Sequence, residues 1–323
     1  MSFSKAFEAK IIEGADTAIE VPAIDAHIHM VNFLQQTDGL PRLLEAMHKA
    51  NVDKSVVFGL PVRKKWDISE PDRPDYYLSD DARCYYFAGT DEIVAHDYLQ
   101  LPPPARKKFA PLLCGLNPTD RLAVDYVEHM FRKYPFWRGI GELLLRHDDL
   151  TALTEGERAR VNHPALFDVY AFCAEKHLPV LIHHNSTAVM HTADFEYLCE
   201  LEEVLHRFPE TRFVWAHCGY SRRIPHKDYF QMVEGMLRHH PKLYVDFSWI
   251  FYDDLVMRQP AVSQKWANLV KEFSDRVMIG TDLCGHFDLL GKTMARYNGL
   301  LKLLPDPVQE RIARTNAEEI YFR

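Results

Sequence analysis

The sequence predicts an α/β protein whose eight parallel strands close into a distorted (β/α)₈ barrel. Three observations support this fold class. Eight short apolar or β-branched segments recur along the chain, segments of helical periodicity lie between them, and almost every predicted strand ends in a polar residue capable of chemistry. A doubly wound open sheet, the competing fold, collects its ligands at one switch point, whereas a barrel presents the carboxyl ends of all its strands at one face. The polar strand ends therefore favour the barrel.

The predicted strands are spaced as expected for repeated strand–helix units. Most of them begin roughly 30–35 residues apart, the length of one such unit in an alternating architecture. They cover residues 24–29, 54–60, 109–117, 137–145, 179–185, 212–219, 243–249 and 277–283. Helical periodicity is clear in the intervals after the fourth and seventh strands, for example over residues 164–177 and 264–274.

Two intervals are longer or less regular than a barrel requires. Residues 61–108 follow strand two and are rich in Pro, Asp, Arg and aromatic residues, and residues 146–163 follow strand four. Loops at the carboxyl ends of barrel strands border the active site, so each insertion is interpreted as a lid or specificity wall, with a solvated surface excursion as the alternative. With these insertions, residues 1–323 are predicted to form a single domain.

Composition excludes several classes of protein. The 323 residues are 47% hydrophobic and 26% charged, which suffices for a large core. The net charge of −8 is mixed along the chain without the basic stripe that nucleic-acid binding requires. No segment approaches the ~18 apolar residues of a membrane span, and the first residues lack the apolar core of a signal peptide. We expect a cytoplasmic protein with reduced cysteines that acts on a small molecule.

The strongest sign of chemistry is the sequence Asp-Ala-His-Ile-His at the end of the first strand, which places His27 and His29 two residues apart. Residues i and i+2 of a strand face the same side, so both imidazoles are expected to project into the barrel and to converge on one cation. Unsatisfied polar side chains in an apolar interior are costly, and a metal would satisfy them. This motif alone is a modest indication of a metal site.

Three further strand ends supply the same kinds of ligand. Strand five offers either His183 or His184, strand six ends at His217, and strand eight ends at Asp282. Taken singly, each histidine could be a core residue bonded to backbone and Asp282 a helix cap. Their joint occurrence at strand ends predicts a metal site, and imidazoles with a carboxylate favour Zn²⁺ over Mn²⁺ and Fe²⁺.

These motifs resemble those of the amidohydrolase superfamily, in particular its amidohydrolase-2 branch, which contains aminocarboxymuconate-semialdehyde decarboxylase and several lactonases. The resemblance covers nearly the whole chain. It comprises the opening D-x-H-x-H, the strand-five histidine, H-x-G at residues 217–219, G-T-D at residues 280–282 and N-A-x-x-I-Y at residues 316–321.

The resemblance implies a catalytic divalent metal on His27, His29, His183 and Asp282. It also implies that Asp282 accepts a proton from the attacking water, that His217 is a general acid/base, and that the chain forms a homodimer. In other branches of the superfamily a carboxylate on strand four bridges two metals, and Glu142 stands at that position. We favour one metal, with Glu142 hydrogen-bonded to a ligand or the substrate, over two metals bridged by Glu142.

Substrate contacts are predicted from residues just beyond the strand ends. An arginine so placed suits a substrate carboxylate, which it grips through two hydrogen bonds, and an aromatic ring suits a flat substrate. The candidates are Arg63, Trp66, Tyr76, Arg146 and Trp249, with His147, Asn185 and Tyr252 in similar positions.

The sequence thus predicts a metal-dependent hydrolase that uses metal-activated water to cleave a lactone, ester or amide of a small carboxylated substrate. A non-oxidative decarboxylase of an unsaturated or aromatic acid is the close alternative, because the same ligands serve both reactions. A catalytically silent barrel that binds a small molecule is an alternative of another class. It is disfavoured, since a degenerate site would be expected to have lost ligands.

Overall fold

Strands and helices alternate along the chain in the computed structural model, which describes residues 18–65, 83–147, 150–154, 156–188, 195–221, 228–258 and 261–323. The strands are β1 (Ala23–His29), β2 (Val52–Phe58), β3 (Val62–Lys64), β4 (Cys84–Tyr86), β5 (Phe109–Pro111), β6 (Ile140–Leu145), β7 (Pro179–His184), β8 (Arg212–Trp215), β9 (Leu243–Asp246), β10 (Met257–Arg258), β11 (Ala261–Val262), β12 (Val277–Met278) and β13 (Leu283–Cys284).

The helices fall between these strands and after the last of them. The α-helices are Leu40–Ala50, Gly89–Gln100, Pro103–Arg106, Ala123–Lys133, Leu150–Leu153, Phe167–Glu175, Leu198–Arg207, Tyr229–His239, Trp249–Phe251, Gln264–Glu272, Leu290–Ala295, Asn298–Leu301, Asp306–Glu310 and Asn316–Tyr321. Pro164–Leu166 and Ala216–Gly219 are 3₁₀ turns, and Tyr252–Val256 and Arg311–Thr315 are π-helical. No helix within the described ranges is long and apolar enough to cross a membrane.

Two parallel sheets form the ring of the barrel. One has the order β13-β1-β2-β5 and the other β12-β9-β8-β7-β6. At one seam the backbone of Leu113 bonds to Gly139 and Gly141, and at the other Ala26 N donates to Ile279 O at 3.0 Å. Isolated hydrogen bonds join the sheets in place of continuous ladders, and β12 and β13 are the two parts of the eighth strand. The predicted (β/α)₈ barrel is thus confirmed, in a distorted form.

The amphipathic helices cover the outside of the ring. In helix Leu40–Ala50 the buried residues are Leu40, Leu43, Met47 and Ala50, spaced so that they share one face. The helix has proline in its first turn and ends at Asn51 in the left-handed conformation, the usual start and stop signals. One apolar face per helix is what a barrel exterior requires.

A smaller apolar cluster fills the inside of the barrel. Its residues come from both sheets and from the last helix, and include Ile24, Val56, Leu181, Met278 and Tyr321. The last helix, Asn316–Tyr321, is fixed by its first side chain, since Asn316 Nδ2 donates to the backbone oxygens of Ser274 and Val277. The closing motif noted in the sequence therefore packs against the interior of the barrel.

Several predicted strands are shorter than expected because backbone groups near their ends bond elsewhere. The third strand was expected over residues 109–117 but ends at Pro111. Bonds to the neighbouring strands continue through residues 112 and 113 and stop where the N–H groups of Cys114 and Gly115 donate to the Asp91 carboxylate. The sixth was expected over residues 212–219 but ends at Trp215, where the chain turns left-handed at His217 (φ 37°) and Cys218 (φ 52°). The fourth begins at Ile140 and the seventh ends at Asp246.

The first strand carries an irregularity that affects the site. Ile24 and Ala26 belong to the inner cluster, whereas Ile28 packs in the outer layer. Strict alternation from Ile24 and Ala26 would therefore have turned His27 and His29 away from the interior. The register between β1 and β2 shifts between Asp25 and Ile28, as in a β-bulge. Because of this shift, the two apolar side chains before it and the two histidines after it all point into the barrel.

The two predicted insertions meet each other above the strands. Residues 61–108 contain the antiparallel hairpin β3–β4 and also helix Gly89–Gln100, which is the helix between strands two and three and not inserted material. Cys84 of the hairpin forms a parallel bridge with Thr154 of the second insertion. Val62, Cys84, Leu144 and Leu150 form a separate apolar cluster, which we call the cap cluster.

Candidate metal centre

The end of β1 and the break in the eighth strand bring three ligand side chains together. One donor atom from each of His27, His29 and Asp282 can be chosen so that all lie within 4.8 Å of one another. Asp282 Oδ1 is 3.4 Å from His27 Nε2 and 3.3 Å from His29 Nε2. All three residues were predicted ligands, and their arrangement suits a cation.

A second group of three lies beside the first and is centred on Glu142. Donor atoms of Glu142, His183 and His217 also lie within 4.8 Å of one another, and all three residues are buried. Glu142 Oε1 is 3.4 Å from His183 Nδ1, 3.6 Å from His217 Nε2 and 3.7 Å from His27 Nε2. Its other oxygen, Oε2, is 3.2 Å from His29 Nε2. Glu142 therefore lies between the two groups, which we call the first and second triads.

Hydrogen bonds on the far side of three rings decide which nitrogens face the site. His27 Nδ1 is 3.0 Å from Asp246 Oδ2, and His29 Nδ1 is 2.8 Å from the backbone oxygen of Gly59. These acceptors favour the proton on Nδ1 and leave Nε2 free to bind a metal. In His183 the nitrogens are reversed, since Nε2 is 3.0 Å from Asn185 Oδ1 and Nδ1 faces Glu142.

The charges around these histidines favour a cation. Burial alone would lower the pKa of His27, but the carboxylates of Asp246, Glu142 and Asp282 raise it well above its usual value. Burial also opposes the charged form of His29, whose pKa Asp282 and Glu142 raise to about 9. Burial alone would raise the pKa of Glu142, but the four histidines around it hold it well below the usual range. A bound metal ion supplies the same positive charge in place of protons.

Beneath the first triad, the backbone at Gly280 packs closely against His27. A Cβ atom added at Gly280 would lie 2.7 Å from His27 Cβ and 2.9 Å from His27 N, so only glycine fits there. Asp282 follows with φ 59°, and its N–H donates to the backbone oxygen of His27 at 2.8 Å. The sequence Gly280-Thr281-Asp282 thus places a carboxylate directly beside the histidine.

The predicted substrate contacts fall into different places. The Trp249 ring lies 5.0 Å from the His217 ring and 6.3 Å from the His183 ring, next to the second triad. Arg63 belongs to strand β3, and its guanidinium lies over the Phe87 ring at 5.2 Å. Trp66 and Tyr76 lie outside the described residues.

Arg146 has a partner within the protein. Its Nε donates to Glu200 Oε2 at 2.9 Å, a second bond joins the same two groups, and the guanidinium lies 4.1 Å from the centre of the Tyr197 ring. The pair links the loop after β6 to helix Leu198–Arg207. A guanidinium engaged in this way is poorly placed to bind a substrate carboxylate. The role of Arg146 that the structure supports is to hold this loop against the helix through its ion pair with Glu200.

Two further histidines, His184 and His147, lie next to the candidate ligand His183 but are not members of either triad. His184 faces away from His183, as expected from alternation, and its Nε2 is 3.0 Å from the backbone oxygen of Tyr197. The His147 ring stacks on the His183 ring at 4.5 Å between centres. Burial and the nearby His183 hold the pKa of His147 well below its usual value. His147 therefore presents a neutral ring beside the second triad.

Asp246 is the residue that the sequence patterns missed. It ends β9, is fully buried, and contacts both His27 and the backbone N–H of His217. The available signal was an acidic residue inside the predicted strand 243–249, which is otherwise rich in apolar and aromatic residues. Asp25 was likewise noted only as part of the motif, and it accepts hydrogen bonds from both Thr281 N and Thr281 Oγ1.

Comparison with known proteins supports the fold. A 2,6-dihydroxybenzoate decarboxylase from Rhizobium superposes with a TM-score of 0.56 at 13% identity, covering 94% of this chain and 98% of that one. A 4-oxalomesaconate hydratase from Rhodopseudomonas palustris gives 0.55 at 14%, with 93% and 95% covered. A protein assigned as a 2-pyrone-4,6-dicarboxylic acid hydrolase from Pseudomonas putida gives 0.53 at 12%, with 94% and 98% covered. No curated protein sequence matches this chain.

The fold and the site define a barrel enzyme with a candidate metal centre at the ends of its strands. Residues 24–323 match the model of the Amidohydrolase family, and the chain belongs to that family. The match spans nearly the whole chain, as the resemblance in the sequence implied.

Proposed function

We propose that this enzyme is a metal-dependent hydrolase that cleaves a lactone, ester or amide bond in a small carboxylated substrate. The observation that carries the proposal is the position of Glu142 between the two triads, within 3.2–3.7 Å of four histidine nitrogens. A buried carboxylate shared by two sets of ligands supports a centre for two divalent ions. We therefore propose two ions, where the sequence alone favoured one.

The residues present fit such a centre. Within the described part of the chain, the buried atoms His27 Nε2 and Glu142 Oε1 have no hydrogen-bond partner, and each such atom costs about 1–3 kcal/mol unless something satisfies it. His27, His29 and Asp282 would hold one ion, His183 and His217 the second, and Glu142 both. The bound metal would lower the pKa of a water molecule and polarise the substrate carbonyl, with Zn²⁺ favoured over Mn²⁺ and Fe²⁺.

Asp282 is the carboxylate best placed to move a proton. Among the six side chains of the two triads, Asp282 is the most exposed, at 14%, whereas each of the other five is exposed by 5% or less. An incoming water molecule therefore reaches Asp282 most easily, and we assign to it the acceptance of the water proton during attack on the carbonyl carbon. With one ion in place of two, His217 would be available as the general acid/base.

The residues around the ligands limit what can bind. The rings of Trp249 and His147 lie against the second triad, and the half-buried Trp249 ring is the candidate flat surface for a planar substrate. Arg63, on the hairpin after β2, remains the candidate for the substrate carboxylate. The cap cluster joins both insertions, and this supports their assignment as one lid over the strand ends.

Decarboxylation of an unsaturated or aromatic acid remains the alternative reaction. The same histidines and carboxylates would serve it, and the Trp249 ring beside the second triad suits an aromatic acid as well as a lactone. One of the structures with this fold is a decarboxylase and another is assigned as a hydrolase. The two reactions differ in whether water attacks a carbonyl carbon or a proton reaches the carbon that loses CO₂.

Metal analysis combined with a substrate panel tests the proposal. We expect about two metal ions per chain after loading with Zn²⁺, loss of at least one in Glu142→Gln, and weaker binding in His27→Ala. Glu210→Gln, which changes an exposed glutamate, is the matched control and should retain both. The panel contains carboxylated lactones, esters and amides, and aromatic and unsaturated acids.

Each outcome has a distinct meaning. Hydrolysis products from the first group support the proposal, and release of CO₂ from the second identifies a decarboxylase. About one ion per chain that persists in Glu142→Gln would establish the one-ion centre. Metal binding without turnover of any compound would point to the silent barrel, and absence of metal even after addition of Zn²⁺ or Mn²⁺ would overturn the proposal.

A further inference from the structure

The carboxylate of Asp246 contacts one member of each triad. Its Oδ2 lies 3.0 Å from His27 Nδ1, and its Oδ1 accepts a hydrogen bond from the backbone N–H of His217 at 2.9 Å. Ser248 also donates to Oδ1 from its backbone N–H at 3.1 Å and from Oγ at 2.5 Å. Asp246 is fully buried, so these contacts are shielded from water.

The bond to His27 determines which ring nitrogen can bind a metal. Because Asp246 is an acceptor, His27 carries its proton on Nδ1 and turns the lone pair of Nε2 towards Asp282 and Glu142. The bond to His217 acts on the backbone. His217 and Cys218 both have left-handed φ values, and the Asp246 carboxylate holds the N–H group at the start of that turn.

We infer that Asp246 is a positioning residue that fixes His27 and His217 relative to each other and so sets the geometry shared by the two triads. Its carboxylate hydrogen-bonds to His27, His217 and Ser248, so we assign it an action through these residues and not on the substrate itself. This inference rests on the proposed metal centre. It assigns a role to a residue whose four hydrogen bonds converge from β1, from the turn after β8 and from the residues that follow β9.

Asp246→Asn is the substitution that separates positioning from packing. The three donors at Oδ1, from His217 and Ser248, would hold the amide oxygen of an asparagine on their side. Its NH₂ group would then face His27 Nδ1, and this donor requires an acceptor opposite it. His27 would then have to move its proton to Nε2, the nitrogen that faces the other ligands. The asparagine side chain is nearly the same size as the aspartate side chain, so the packing around residue 246 would change little.

The measurement is the affinity for Zn²⁺ alone, from competition with a chromophoric chelator, for the full chain. We expect Asp246→Asn to weaken Zn²⁺ binding by roughly 10–100-fold. Ser248→Ala removes one donor to the same carboxylate without touching His27, and its affinity should stay close to that of the unmodified protein. Thermal unfolding of the three metal-free proteins shows whether each one folds.

A spectroscopic readout distinguishes positioning from a merely structural role. In ¹⁵N-histidine-labelled protein saturated with Zn²⁺, the His27 Nδ1 proton should give an exchange-protected signal that is absent in His27→Gln. That signal should be lost or shifted in Asp246→Asn and retained in Ser248→Ala. Equal Zn²⁺ affinity and an unchanged signal in Asp246→Asn would overturn the inference. Failure of the unmodified protein to bind Zn²⁺ would instead overturn the proposed metal centre.

Discussion

At the scale of single residues, Gly280 packs directly against His27 under the candidate metal centre. The absence of a side chain at Gly280 lets the eighth strand pass against His27 and present Asp282 beside it. Small changes here should therefore affect stability and metal binding together.

Gly280→Ala tests this contact. The added methyl group would meet backbone and Cβ atoms of His27 at under 3.0 Å, and overpacking of this kind costs about 1–3 kcal/mol. We expect a lower free energy of unfolding in urea and weaker Zn²⁺ binding. Gly235→Ala is the control, since a methyl group added there in helix Tyr229–His239 would enter open space, and it should stabilise the protein by up to about 1 kcal/mol. Equal stability of the two variants would contradict the packing argument.

The sequence could identify candidate ligands because each of them stands at or near the end of a strand. Asp246 ends β9 in the structure but lay inside the predicted strand 243–249, and its role depends on contacts with His27 and His217, which are distant in sequence. For the same reason the pairing of Arg146 with Glu200 could not be anticipated. Strand ends are visible in a pattern, whereas the partner of a buried charge is decided by the packing of separate elements.

At the scale of elements, irregular strands determine where the site residues point. The register shift in β1 lets Ile24 and Ala26 fill the barrel while His27 and His29 also face inwards. Simple alternation correctly paired the two histidines but could not show that the strand changes phase before them. Two further irregularities act in the same way. The left-handed turn after β8 brings His217 into the site, and the break between β12 and β13 brings Asp282 into it.

The cap cluster gives a prediction for the two insertions. Leu150 is 1% exposed and packs with Val62 and Cys84, so Leu150→Ala should cost about 2–5 kcal/mol of local stability. Hydrogen exchange should accelerate in residues 150–154 and also in Cys84–Tyr86, because the Cys84–Thr154 bridge joins them. Leu122→Ala, at a position 63% exposed, should change neither segment. Faster exchange confined to residues 150–154 would show that the insertions open independently.

At the scale of the whole molecule, the candidate ligands belong to both sheets. His27 and His29 stand on β1 of the four-stranded sheet, and Glu142 and His183 stand on β6 and β7 of the five-stranded sheet. The seams between the sheets have few hydrogen bonds among the described residues. A cation held by both groups would therefore connect the sheets at the end where the ring is otherwise joined only locally.

Metal should accordingly stabilise the entire barrel. Ligand present at 100 times its dissociation constant adds about 2.7 kcal/mol to the free energy of unfolding, so Zn²⁺ should raise the unfolding temperature of the unmodified protein and a chelator should reverse the rise. His27→Ala should show a much smaller rise under the same conditions. An equal rise in His27→Ala would mean that Zn²⁺ stabilises the protein at another place.

The pairing of β1 with β13 also bears on how the protein is made. Ile28 aligns with Leu283, so the first strand of the ring waits for a partner that the ribosome synthesises some 250 residues later. Until then the growing polypeptide exposes one edge of β1, and contacts between such distant residues form slowly. A nascent chain stalled before residue 283 would be a half-open sheet with an unpaired edge, which is the form most in need of a chaperone.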